Sequence, residues 1–293
     1  MNMKKKNLTP YILITPALIF ITVFLLYPML TVFYYSFQHY NISLPLYNGF
    51  AGLENFKELF TEDPVFWKSF WNSIIWVVSQ VGGQLVIGMM FALILNQTFK
   101  YRGVIRALVF IPWAISGVLA STIWVLMYNE NMGVINDLLM KIGIINEPKA
   151  FLAGSVSAFV SVIITELWRG IPFFTITLLA GLQSIPEELY EAAKVDGSNK
   201  VKTFFYITLP HLKGIIVLTT ILRVAWEFNN VDVIYNLTGG GPVNSTTTLG
   251  VYAANLALKG NRFGYGSALI VVTFLILIIF TLIYWKSSKL EKE

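Results

Sequence analysis

Glu191-Ala192-Ala193-Lys194-Val195-Asp196-Gly197, followed by Ile207-Thr208-Leu209-Pro210, forms a polar island between two long apolar segments. Those neighbours, residues 156–179 and 214–234, are each long enough to cross a bilayer, which takes about 20 mostly apolar residues as helix. Four more stretches meet the same requirement: residues 11–33, 70–95, 104–127 and 266–285. The expected fold class is therefore all-α: a polytopic membrane bundle of six transmembrane helices. The island, residues 183–212, is the longest connection on its side.

Composition agrees. Of 293 residues, 56% are hydrophobic and 13% charged, against about 25% charged in a soluble domain. Mean hydropathy is +0.65. There is no cysteine, which excludes a disulfide framework, thiol catalysis and thiolate metal sites. No linker splits the chain, so residues 1–293 are expected to form one transmembrane domain. Lys4, Lys5 and Lys6 precede the first apolar stretch. That stretch is too long for a signal-peptide core and no A-x-A site follows, so it is expected to be a retained helix.

The basic residues orient the chain. With the N-terminus inside, thirteen fall on inner segments: Lys4, Lys5, Lys6, Lys100, Arg102, Arg106, Lys194, Lys200, Lys202, Lys213, Lys286, Lys289 and Lys292. Six fall outside: Lys57, Lys68, Lys141, Lys149, Lys259 and Arg262. The positive-inside rule thus predicts both termini in the cytoplasm of a multi-pass cell-membrane protein. The net charge of +5 is accounted for by topology and anionic lipid, with no nucleic acid required. In the first outer loop, residues 53–60 carry apolar side chains at helical spacing and predict a short amphipathic helix.

The island carries dense local signals. Ser184-Ile185-Pro186-Glu187 matches a capping box, predicting a short helix over about residues 186–194. Asp196-Gly197 predicts a turn with Gly197 in a left-handed C-terminal position. Ser198 is expected to cap a second short helix, and Pro210 to end it. The residues alone leave two readings open: a loop packed only on its own bundle, or a docking surface whose small Ala192 and Ala193 admit a partner's backbone.

The spacing Glu191-Ala192-Ala193, Gly197, Ile207, Leu209-Pro210 resembles the EAA motif of ABC importer permeases. Leu182 to Tyr190 with Asp196-Gly197 is similar to the carbohydrate branch of that family. Trp226-Glu227-Phe228-Asn229-Asn230 and Leu237-Thr238-Gly239-Gly240-Gly241-Pro242 with Thr246-Thr247-Thr248-Leu249 resemble the first permease of maltose- or glycerol-phosphate-type importers. The resemblance covers nearly the whole chain. It implies a heterodimer with a second permease, two cytoplasmic ATPase subunits that carry ATP and magnesium, and an extracytoplasmic sugar-binding protein. It implies ATPase coupling through Glu191, Ala192, Ala193, Asp196 and Gly197, with Leu209 and Pro210 closing the unit. The chain has no G-x-x-x-x-G-K-[ST] phosphate loop, so no cofactor is expected on it. Gly239-Gly240-Gly241 is expected to be a flexible outer turn, free to touch a delivery protein.

Charged groups inside membrane helices cost about 2.5–3.5 kcal/mol each on insertion scales and so invite a functional reading. Glu166 and Arg169 in the fourth segment, and Arg223, Glu227 and Asp232 in the fifth, are such groups. At about 1.5 Å per residue, Glu166 and Arg223 both fall near the midplane. They can pair across helices, or as Glu166/Arg169 and Arg223/Glu227 within them. Two roles stay open: mutual neutralisation that fixes helix orientation, or a polar sugar pathway. For the pathway, Trp226, Asn229, Asn230 and Tyr235 supply aromatic faces and hydrogen-bonding groups. Gln80, Gly82, Gly83 and Gln84 are expected to mediate helix packing. His39 and His211 have no metal-binding spacing, and no catalytic set is present. The alternatives are an ion-coupled transporter using Glu166, Glu227 and Asp232 as ion sites, and a membrane enzyme, which lacks catalytic groups.

Overall fold

A computed structural model describes residues 9–288; Lys4, Lys5, Lys6, Lys289 and Lys292 lie outside the described residues. In chain order, α1 (Thr9–Ile21), a π-helical turn (Thr22–Leu26) and α2 (Tyr27–Ser36) form one continuous helix. A hairpin of β1 (Gln38–His39) and β2 (Gly49–Phe50) and the helix α3 (Glu54–Thr61) follow. Next come α4 (Pro64–Asn96), α5 (Arg102–Ala114), α6 (Gly117–Met127), α7 (Val134–Lys141), α8 (Ser155–Gln183), α9 (Glu187–Val195) and α10 (Lys200–Thr203). A second π turn (Phe204–Thr208) leads into α11 (Leu209–Phe228), α12 (Asp232–Thr238), α13 (Leu249–Leu258) and α14 (Phe263–Ser288). Among the described residues five helical runs are long and apolar enough to span a membrane, and α5 and α6 meet that requirement only together, as a bent pair.

That bend corrects the sequence expectation of one straight helix over 104–127. The two helices meet at 98°. Pro112 in the last turn of α5 cannot donate, and its ring blocks the preceding carbonyl. Ile115 is extended, and the Ser116 hydroxyl caps α6 by accepting from Leu119 N at 3.3 Å. The fifth segment is also interrupted. α11 stops at Phe228, and Asn229–Val231 separates it from α12. Asn229 Nδ2 donates to the Ala225 carbonyl at 2.8 Å, taking up one of the acceptors a helix end leaves open. The outer connections expected as loops hold α7, α12 and α13.

The chain forms two compact units. In the first, residues 9–63 and 253–275, the predicted amphipathic helix is α3, with Leu59 and Asn55 buried. Asn55 Nδ2 donates to the carbonyls of Ser36 (3.0 Å) and Gln38 (2.9 Å), tying α3 to the end of α2. Arg262 grips both carboxylate oxygens of Glu58 at 2.8 Å, and Tyr265 donates to Asp63 Oδ2 at 2.6 Å.

In the second unit, residues 64–252 and 276–288, α4 lies along α8. The approach is close because α4 presents Gly88: a Cβ there would sit 2.7 Å from Phe174 Cβ and 3.1 Å from Thr175 N. Small residues at such contacts let helix backbones approach where lipid supplies no hydrophobic drive. The Gly239-Gly240-Gly241 stretch forms a hydrogen-bonded turn: Gly241 N donates to Thr238 O at 2.9 Å and Thr246 N to Gly240 O at 3.2 Å. Gly239 and Gly240 have φ of +61° and +92°. Thr247 donates to the Gly240 carbonyl (2.8 Å), and Asn72 Nδ2 reaches the carbonyls of Asn244, Ser245 and Thr247.

Candidate functional site

Every fourth residue of α4 from Trp76 to Gly88 points at α8 and α11. Trp76 Nε1 donates to the Glu227 carbonyl (3.2 Å) and Gln80 Nε2 to that of Ile163 (3.1 Å). Gln84 Nε2 donates to Gln80 Oε1 (3.0 Å), and Gln84 Oε1 accepts from Arg223 Nε (2.7 Å). The two glutamines were expected only to pack helices; they are hydrogen-bonding members of a buried network. Their four-residue spacing was the signal available in the sequence, since it places them on one helix face.

Both pairings proposed for the charged residues form together. Arg169 holds Glu166 with Nε to Oε2 at 2.7 Å and Nη2 to Oε1 at 2.8 Å. Arg223 Nη2 reaches Glu166 Oε1 across helices (3.0 Å) and Glu227 Oε1 within its own (2.7 Å). Asn230 Nδ2 adds a bond to Glu227 Oε2 at 3.2 Å. Glu166, Arg223 and Glu227 are buried, and two carboxylates meet two guanidiniums. A buried ion pair survives only when further hydrogen bonds satisfy its lone pairs and protons, and the two glutamines and Asn230 supply them. Gly170 is required beside the network, because a Cβ there would collide with the Gln84 amide and the Arg223 guanidinium.

This network is one wall of a cavity of about 550 Å³. Glu166, Arg169, Arg223, Trp226, Glu227, Asn229 and Asn230 all line it. Tyr235, on α12, is not among the lining residues. Ala225, Val231, Trp113 and Asp232 complete the wall; of these, Trp113 and Asp232 bring side-chain chemistry that the expected pathway lacked. Trp113 was hidden because an aromatic inside an apolar run reads as core. Trp113 and Trp226 are each about half exposed, at 47% and 49%. Trp226 packs against Phe173, ring centres 5.1 Å apart, and Phe173 lies 5.8 Å from the Arg223 guanidinium. The cavity lies where helices break: Trp113 just precedes the α5–α6 bend, and Asn229, Asn230 and Val231 are the α11–α12 interruption. Irregular backbone at membrane depth is tolerated where it lines a cavity.

The island between α8 and α11 is a helix and turn, with three corrections. Ser184 does not cap α9; its hydroxyl donates back to Gly181 O (2.8 Å) at the end of α8, and Pro186 occupies the N-cap. Asn199, not Ser198, caps α10, accepting from Lys202 N at 2.8 Å. Pro210 does not end the helix. The π turn Phe204–Thr208 widens the coil just before it, moving the carbonyl of Tyr206 from the proline ring, and α11 runs on. The first helix shows the same device, with Thr22–Leu26 ahead of Pro28. The expected turn at Gly197 is present: φ is +73°, Gly197 N donates to Lys194 O (3.1 Å), and Ser198 N to Ala193 O (2.8 Å). That is a Schellman closure, which only glycine adopts without strain. Glu191, Ala192, Asp196 and Gly197 are exposed, and Ala193 is buried. Leu209 is partly buried and Pro210 exposed at the start of α11.

Residues 84–288 match the profile of the binding-protein-dependent transport system inner membrane component. The chain is 37% identical to the trehalose/maltose transport system permease protein MalF of Thermococcus litoralis, over 97% of this chain and 94% of that protein. It is 36% identical to the sulfoquinovosyl glycerol transport system permease protein SmoG of Agrobacterium fabrum, over 95% of this chain and 89% of that one. Among solved structures, a chain of a bacterial alginate ABC transporter in complex with alginate pentasaccharide-bound periplasmic protein superposes with TM-score 0.83 at 23% identity. The match covers 97% of this chain and 95% of that one. The chain belongs to the family of binding-protein-dependent transport system inner membrane components.

Proposed function

We propose that this chain is the permease subunit of an ATP-driven carbohydrate importer and that the cavity at the two helix breaks is part of the sugar pathway. The observation that carries the reading is the cavity wall: two half-exposed tryptophans beside Asn229 and Asn230, over a charge network that neutralises itself. Aromatic faces bind the apolar faces of sugar rings, and amides bind hydroxyls. Both arginines are committed to carboxylates and Asp232 adds an anion, which favours a neutral oligosaccharide over a phosphorylated one. The named relatives carry trehalose and maltose or sulfoquinovosyl glycerol in their names; these support a carbohydrate cargo, while the sulfonate of the last leaves neutrality to rest on this chain's own charge network.

The exposed face of α9 around Glu191, Ala192, Asp196 and Gly197 is proposed as the surface on which a cytoplasmic ATPase docks. The π turn joins that unit continuously to α11 and makes it a lever. The assembly takes a second permease, two ATPase subunits holding ATP and magnesium, and an extracytoplasmic binding protein. Residues 1–293 then work as one permease domain with both termini cytoplasmic.

The test is uptake of a panel of neutral oligosaccharides by vesicles containing the purified assembly, with ATP on the ATPase side. ATP-dependent uptake that persists with a proton uncoupler is expected. Uptake abolished by the uncoupler at constant ATP overturns the reading and returns Glu166, Glu227 and Asp232 to the role of ion sites.

A further inference from the structure

A second cavity, of about 560 Å³, opens where α4 ends beside the island. Part of its lining is apolar: Leu93, Val201, Phe204 and Phe205. The rest includes Lys194 and Lys200 with the hydroxyls of Ser198 and Thr203. Neither lysine makes an ion pair among the described residues. Val201 and Phe205 are each more than half exposed, as is the neighbouring Tyr206. Four lining residues are tied in pairs: Tyr190 OH bonds Thr208 Oγ1 at 3.1 Å, and Thr203 Oγ1 donates to Ser198 Oγ at 3.2 Å.

The depth of this cavity follows from α4. Trp67 and Trp71, exposed near its first turns, mark one membrane interface. From Trp71 to Leu93 the helix rises about 33 Å, against a hydrocarbon core of about 30 Å. Leu93 therefore lies at the opposite interface. A recess at that level whose lining is part apolar and part cationic suits one molecule class: a lipid with an anionic head.

We propose that this cavity binds an anionic phospholipid, with its phosphate at Lys194 and Lys200 and its first acyl carbons against Leu93, Phe204 and Phe205. The proposal rests on the membrane placement of the chain, not on the identity of its cargo. Two lysines near an anionic headgroup contribute enough that removing both should lower affinity roughly 30-fold. The lipid would brace the turn that connects α9 to α11, so the motor-facing surface would be set by the lipid composition of that leaflet.

The experiment is native mass spectrometry of the purified transporter complex after incubation with phosphatidylglycerol, with phosphatidylcholine as the zwitterionic probe and soluble glycerol phosphate as the headgroup alone. Wild type should retain phosphatidylglycerol selectively, and Lys194→Gln/Lys200→Gln should lose it by roughly 30-fold. Lys200→Arg should keep it, and Lys286→Gln, at a membrane end outside the cavity, should leave it unchanged. Thermal melting of the double variant checks that it is folded; if it is not, Phe205→Ser, which alters only the acyl wall, should lower retention of the lipid and not of glycerol phosphate. Equal retention by wild type and the double variant overturns the proposal. So does equal loss in Lys286→Gln, binding of glycerol phosphate as tight as that of the lipid, or exclusion of the lipid whenever ATPase subunits are bound, which would make the cavity a partner contact.

Discussion

Replacing Arg223 by methionine isolates the work done by the buried network. The guanidinium bonds Gln84 Oε1 (2.7 Å), Glu166 Oε1 (3.0 Å) and Glu227 Oε1 (2.7 Å), and its side chain is 5% exposed. Without it Glu166 keeps both contacts to Arg169, whereas Glu227 keeps only neutral amides, Asn230 at 3.2 Å and Gln84 at 3.4 Å. The damage therefore concentrates on Glu227, a carboxylate left without a cation in a site 1% exposed. Removing one partner of a buried pair costs about 3–5 kcal/mol. At about 2–4 °C per kcal/mol for a domain of this size, the melting temperature should fall by about 6–20 °C. Adding Glu227→Gln removes the stranded charge and should restore most of the loss, giving a coupling of about 2–3 kcal/mol. The assay is fluorescence-monitored thermal unfolding of the assembly for both single variants and the double. A shift under about 2 °C for Arg223→Met, or a double variant that melts as low as the two losses summed, would refute the account of the network as mutually compensating.

Gly197→Asp places a side chain at φ +73° in open space. It should cost about 1–2 kcal/mol in the turn and leave membrane insertion intact while weakening co-purification with the ATPase; normal assembly and uptake would sink the docking assignment. Trp226→Ala and Trp113→Ala should each lower apparent sugar affinity about tenfold, or about 1.4 kcal/mol, with ATPase docking unchanged; uptake curves at several sugar concentrations check this. Gly170→Ala should destabilise by about 1–3 kcal/mol through overpacking against Gln84 and Arg223, and a melting curve matching wild type would show that the network can move aside. Asn55→Ala should cost about 1–3 kcal/mol, since the carbonyls of Ser36 and Gln38 lose their partner, read as earlier proteolysis near residues 36–54.

The spanning segments were legible because hydrophobicity over about 20 residues is a local property of the sequence. Arg169 and Arg223 stood out for the same reason, as charges where charge is costly. The α5–α6 bend was not legible. Pro112 is itself apolar, and a hydropathy window records how oily a segment is but not its direction. At Ser184 two hydrogen-bonding uses compete, a cap on α9 and a bond back to Gly181. The continuation of α8 to Gln183 decides between them, and that depends on packing far from the serine. Proline at 210 was read as a stop because the rule concerns a regular coil, and the π turn ahead of it changes the coil. Gln84 is underrated because its spacing from Gln80 marks a shared helix face but not the partner, an arginine far along the chain.

The π turn Phe204–Thr208 holds one residue more than a regular turn needs. A π turn takes up that extra residue within one wider coil, so the faces of the helix on either side keep their relative direction. Deleting one residue of the turn would leave net charge unchanged and hydropathy nearly so, yet close the coil to regular α geometry and return a carbonyl to the Pro210 ring. In sequence comparison the length of this segment is therefore a constraint in its own right, and insertions or deletions there should be rarer than substitutions of Phe204, Phe205 or Tyr206.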